Sequence, residues 1–260
     1  MKKALALILT AALLFLCCSC GKNKTGNSAA SAKLPKGSGL VITAFGDSIA
    51  AGYGLESQAD NYLSLFAKNI GATLINDAVR GYDSDDLVSL LSGGKMNADI
   101  KNAQIIILSI GGNDILHNSE QIISVIKQAA LQGGEYFPES INSIYTNFEK
   151  NLATVFSQIN GINPNVKIII QTVYNPALSQ GYKISVIDAS KIIDKYISEL
   201  NESIISVSSN FDNVIVFDVA DEMNKDADNF YNLKDKMDIH PTKKGHYVLS
   251  QLYTQFYNEN

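Results

Sequence analysis

The sequence predicts one α/β domain, a three-layer α/β/α sandwich around a five-stranded parallel sheet, and three observations carry that expectation. Short apolar runs alternate with longer segments of helical period from residue 40 onward, without internal repeats. Four of the five apolar runs show little polar alternation, as strands covered on both faces do. With 260 residues, 46% hydrophobic and 18% charged, the chain can build one sizeable core and lies far from disordered composition.

Taken in order, residues 1–19 have the layout of an export signal: Lys2 and Lys3 precede the apolar run 4–16, which is short for a permanent membrane span. The segment ends in Cys17-Cys18-Ser19-Cys20-Gly21, a pattern resembling a bacterial lipoprotein signal in which Cys20 becomes the lipidated N-terminus. Cys17 stands where that signal usually carries Leu, and a plain secretory signal is the alternative. Either reading exports the protein. Cleavage before Cys20 leaves a formal charge of −7 and one cysteine, so no intramolecular disulfide and no cysteine-built metal site is expected. Residues 20–39 are small and polar and read as a flexible tether that leads into a domain spanning 40–260.

Strands are expected at 40–45, 72–75, 104–110, 166–172 and 214–217, and helices at 61–69, 84–91, 119–131, 140–159 and 185–207. Two helices show explicit core stripes: Ile141, Ile144, Tyr145, Phe148, Leu152, Val155, Phe156 and Ile159 in one, and Ile193, Tyr196, Ile197, Leu200, Ile204 and Ile205 in the other. A last helix follows Pro241-Thr242, with Thr242 as its cap and Val248, Leu249, Leu252, Tyr253 and Phe256 buried. In such a sandwich the ligands sit at the carboxyl ends of the strands.

Four polar clusters fall at that edge. They are Gly46-Asp47-Ser48-Ile49 after the first strand, Asn76 to Ser84 after the second, Gly111-Gly112-Asn113-Asp114 after the third, and Asp235 to Pro241 before the last helix. The net charge of −5 disfavours nucleic acid as a partner, and Gly52 and Gly54 lack the spacing of a dinucleotide loop, so no nucleotide is expected.

These four blocks, in this order and over almost the whole domain, resemble the SGNH (GDSL-type) esterase and lipase family. The resemblance implies a flavodoxin-like topology and hydrolysis of acyl esters without metal or organic cofactor. Matched residue by residue, Ser48 takes the place of the nucleophile, Gly81 of the second-block glycine, Asn113 of the third-block asparagine and His240 of the general base. Chemistry agrees with that assignment, because ester hydrolysis needs a hydroxyl activated by a neutral imidazole. It also needs donors for the oxyanion, here the N–H groups of Ser48 and Gly81 and the Asn113 amide; losing one slows turnover by roughly 10²- to 10³-fold. The family's acid stands three residues before the histidine, where this chain has Met237. Asp238, Asp235 or a backbone carbonyl remains to orient His240.

Other residues read more plainly. Asp47 and Asp114 are expected to fix loops by accepting hydrogen bonds. His246 reads as a surface or helix-packing residue, His117 as a loop residue, and Lys243 and Lys244 as a solvated helix start. Residues 131–138, with a glycine hinge and two aromatics, are a candidate acyl-chain lid or an ordinary turn. An α/β-hydrolase elbow at 46–50 is disfavoured because no strands precede it, and a binding-only glycan or lipid lipoprotein is the rival outside catalysis. Candidate substrates run from lysophospholipids and short or medium acyl esters to O-acetylated carbohydrates, with the membrane reached through the lipid anchor.

Overall fold

The computed structural model describes residues 33–132, 139–178, 183–184, 187–188, 190–232 and 238–260. Its strands are β1 (Val41–Gly46), β2 (Thr73–Asn76), β3 (Ile105–Ser109), β4 (Lys167–Gln171), β5 (Lys183–Ile184), β6 (Ile187–Asp188), β7 (Val214–Phe217), β8 (Tyr231–Asn232) and β9 (Asp238–Pro241). The helices are α1 (Tyr62–Ile70), α2 (Ser84–Ser92), α3 (Asn97–Asn102), α4 (Gly112–Leu116), α5 (Ser119–Gln132), α6 (Glu139–Ile162), α7 (Ser190–Ser208), α8 (Ala220–Met223), α9 (Ala227–Phe230) and α10 (Lys243–Glu259).

Five strands form one parallel sheet in the order β2-β1-β3-β4-β7, the doubly wound arrangement with its switch between β1 and β3. Successive side chains point to opposite faces, and the core divides accordingly. Phe45, Ile106, Leu108, Ile168 and Ile170 pack under α2, α6 and α7. Ile42, Ala44, Ile105, Ile107 and Ile169 pack under α1 and α10. The edge strand β2 is not fully buried at any position, in keeping with the two polar residues, Thr73 and Asn76, at its ends.

All eight stripe residues of α6 are buried, as their spacing requires. In α7 the stripe holds for Tyr196, Ile197, Leu200 and Ile204, but Ile205 is 49% exposed and Val207 is buried instead. That helix also begins at Ser190 rather than 185, because β5 and β6 pair antiparallel ahead of it. Helices α3, α8 and α9, of six, four and four residues, are too short to display a period.

The expected tether extends too far toward the domain. Leu34, the first large apolar residue after a stretch of small and polar ones, is 2% exposed and belongs to the α1/α10 core. Its neighbours are held as well: Tyr257 Oη donates to the Pro35 carbonyl at 2.9 Å, and Lys36 Nζ sits 3.7 Å over the Tyr257 ring. Residues 1–32, with Cys20 and the export segment, lie outside the described residues, as do 133–138 of the candidate lid.

Candidate active site

The nucleophile candidate is set by the end of β1. A Cβ on Gly46 would lie 2.2 Å from the Ser109 carbonyl oxygen of β3, so only glycine lets the two strands close to this point. The next N–H, of Asp47, donates to that same carbonyl at 3.1 Å. The chain then turns sharply, held by Asp47 Oδ1, which accepts from Ile49 N at 2.8 Å, and by the side chains of Asn61 and Asn76, both donating to the Ala50 carbonyl at 2.8 Å. Ser48, 8% exposed, sits at the first position of this turn. Asp47 and Asp114 are loop-fixing acceptors, as expected from sequence. Burial pushes the Asp47 carboxyl up to about 7, against the pull of the Ile49 N–H and with the nearby Asp114 charge adding to the rise.

His240 arrives on a strand rather than a loop. β9 pairs antiparallel with β8, and Thr242 N donates to the Phe230 carbonyl at 2.7 Å, which fixes the approach into α10. His240 Nε2 lies 2.9 Å from Ser48 Oγ, and His240 Nδ1 lies 2.5 Å from Asp238 Oδ1. The extended backbone explains the spacing: residues two apart in a strand share a face, so a carboxylate two positions before the histidine reaches its ring. Asp238 Oδ1 also accepts from the His240 N–H at 3.1 Å. With Nδ1–H donating to Asp238, Nε2 is left as an acceptor for the serine hydroxyl. Asp235 and Met237 lie outside the described residues.

Gly81 has φ +85°, in the left-handed region, and open space where a Cβ would be. Asn113 lies in the first turn of α4, and its amide donates one hydrogen to the Tyr82 carbonyl at 2.8 Å, leaving the other for a ligand. A second link ties the same two segments. Asp114 accepts from Ser84 N at 3.1 Å and from Ser84 Oγ at 2.5 Å, while Asn151 donates to that Oγ at 2.9 Å. Burial raises the Asp114 carboxyl to about 6, partly offset by the two Ser84 donors.

Beside Ser48 opens a cavity of about 290 Å³ whose walls are mainly aliphatic, with Ile115, Ile122, Ile126, Val173 and Ile197 among them. Asn113 and Ile239 line it together with Ser48. Sequence reasoning missed a second neighbour of the histidine: the Tyr53 ring lies 4.6 Å from the His240 ring, and the Arg80 guanidinium lies 3.8 Å above Tyr53. No motif marks such a stack, because its members come from three segments far apart in the chain.

The remaining histidines take ordinary roles. His246 is fully buried, not at the surface, and accepts from Tyr62 N at 3.3 Å. Burial lowers it to about 4. His117 caps α4 and pairs with Asp83 at 2.9 Å. Lys243 and Lys244 are exposed and pair with Asp60 and Asp226.

Comparison with known proteins gives the family and the fold. YpmR, an uncharacterized protein of Bacillus subtilis (strain 168), is 29% identical over 144 residues, a match that spans 53% of this chain and 52% of YpmR. The lipase Lip_vut3 from a goat rumen metagenome superposes with a TM-score of 0.64 at 19% identity, over 82% of this chain and 95% of that one. Phospholipase A1 from Streptomyces albidoflavus NA297 superposes at 0.61 and 18% identity, over 85% and 99%. These two likenesses establish the fold. The GDSL-like lipase/acylhydrolase family model matches residues 44–248, from β1 into α10, and the chain belongs to that family of ester hydrolases.

Proposed function

We propose that the protein hydrolyses medium-chain acyl esters, lysophospholipid-like esters among them, through an acyl-Ser48 intermediate. The observation that carries the reading is the chain of contacts Ser48–His240–Asp238 at the mouth of an aliphatic cavity. Ser48 Oγ attacks the ester carbonyl while His240 Nε2 takes its proton, and Asp238 steadies the imidazolium. The oxyanion meets the N–H groups of Ser48 and Gly81 and the free hydrogen of Asn113. Collapse expels the alcohol with the proton from His240. Water then attacks the acyl-serine with His240 as base, releasing the acid and restoring the hydroxyl.

An O-acetyl carbohydrate esterase would need room for two carbons and polar walls around a sugar. The cavity's size and aliphatic lining favour a longer chain. Residues 1–19 and Cys20 support export and attachment to the membrane through a lipid anchor, which would bring the site to lipid esters. Among the described residues no helix is long and apolar enough to cross a membrane.

The test is hydrolysis of p-nitrophenyl esters from acetate to octanoate, with Ser48→Ala beside the wild type. Each buried methylene contributes about 0.8 kcal/mol, so kcat/KM should climb about fourfold per added carbon until the cavity fills. Turnover should vanish in Ser48→Ala. A rate highest at acetate would favour the carbohydrate esterase, and equal rates in both proteins would refute the serine mechanism.

A further inference from the structure

Arg80 stands apart by composition. The chain carries 21 basic side chains, and Arg80 is its only arginine. A lysine would supply the same charge, but only a guanidinium can lie flat on an aromatic ring and keep its N–H fork pointing outward. The Arg80 guanidinium carbon lies 3.8 Å from the centre of the Tyr53 ring, within the range of such a contact. It immediately precedes Gly81, and Tyr53 in turn packs on the His240 ring at 4.6 Å. Arg80 is exposed, and among the described residues no carboxylate forms an ion pair with it.

The reaction geometry tells which end of a substrate meets this stack. His240 must hand its proton to the departing oxygen, so the alcohol leaves on the histidine side. Tyr53 and Arg80 are on that side and form no part of the aliphatic cavity, whose border includes Ser48, Asn113 and Ile239. The acyl chain and the alcohol are thereby sorted to different surroundings. An exposed guanidinium fork on an aromatic platform suits an anion with paired oxygens, and a phosphate offers these and keeps its charge at neutral pH. The chain as a whole carries −5, so attraction of such a group has to be local.

We propose that Arg80, carried on Tyr53, binds a phosphate on the leaving alcohol of the ester, and so selects acyl esters of phosphorylated alcohols. This rests on the ester-hydrolase reading above.

The full chain is assayed on 1-octanoylglycerol and 1-octanoylglycerol 3-phosphate, and the ratio of their kcat/KM values is followed. In Arg80→Gln the preference for the phosphorylated ester should fall about tenfold or more, through KM, and Arg80→Lys should recover only part of it. In a parallel calorimetric titration, glycerol 3-phosphate should bind the wild type more tightly than glycerate or glycerol, and lose that advantage in Arg80→Gln. 1-Octanoylglycerol 3-phosphocholine separates the sources. The same Arg80 dependence there points to a lipid headgroup, whereas dependence confined to the monoester points to a small phosphorylated alcohol. A ratio unchanged in Arg80→Gln, with both esters cleaved, overturns the assignment and leaves the hydrolase reading intact. Cleavage of neither ester refutes the hydrolase reading instead. The titration then decides on Arg80 alone, and equal or absent glycerol 3-phosphate binding in wild type and variant overturns it.

Discussion

Asp238 shows how a local backbone state changes the meaning of a spacing. Counted along the sequence it stands one position off the family's acid, and Asp235 or a carbonyl competes for the same role. In an extended strand the side chains at 238 and 240 share a face, and the carboxylate meets the ring at 2.5 Å. If it holds Nδ1–H, Asp238→Asn should favour the wrong tautomer and lower kcat by roughly 10³-fold with little change in KM. Steady-state kinetics on p-nitrophenyl octanoate would measure this, and a loss below about threefold would show that another group orients the imidazole.

At the scale of elements, the site depends on how closely β1 and β3 approach at their carboxyl ends. Gly46 permits that approach, and Asn61 serves the same corner twice, capping α1 through Leu63 N at 2.8 Å and holding the Ala50 carbonyl. Gly46→Ala sets a methyl against a backbone carbonyl that cannot rotate away, and should cost about 3 kcal/mol. Urea denaturation would show the lower midpoint, and activity should fall with it because Ser48 is two residues on. Asn61→Ala removes the cap and leaves a buried carbonyl short of one donor, for an expected loss of about 2 kcal/mol. The β8/β9 hairpin escaped notice in the sequence for a physical reason: with two paired positions it has no run of alternation to read.

Across the whole molecule, buried groups give stability opposite slopes with pH, Asp47 and Asp114 on one side and His246 on the other. Burial raises Asp47 from its ordinary 3.8 to about 7, so the folded state holds a proton that the unfolded state has released, and stability is lost as pH rises through that window. Burial lowers His246 from 6.5 to about 4, so the unfolded state takes the proton first, and stability is lost as pH falls through that window. The two effects oppose each other between about pH 4 and 6.5. Asp47→Asn keeps an acceptor for Ile49 N and removes one slope. Its melting temperature should therefore climb more steeply than the wild type's from pH 4 to 6.5. Parallel curves would mean that Asp47 does not titrate in this range.

What the sequence determined by itself was the layout: five parallel strands, the helices with clear period, and four polar blocks at the strand ends. Each rests on information local to a few residues, whether apolar spacing, a cap or a motif. The tertiary structure alone decided contacts between groups far apart in the chain. It brought His240 to Ser48 across 192 positions and set Arg80 on Tyr53. It also drew Leu34 out of the expected tether into the core, and buried His246 where position on its helix left surface or interior open. Side-chain burial and ring stacking depend on which surfaces the finished sheet brings together, and no periodicity along the chain records that.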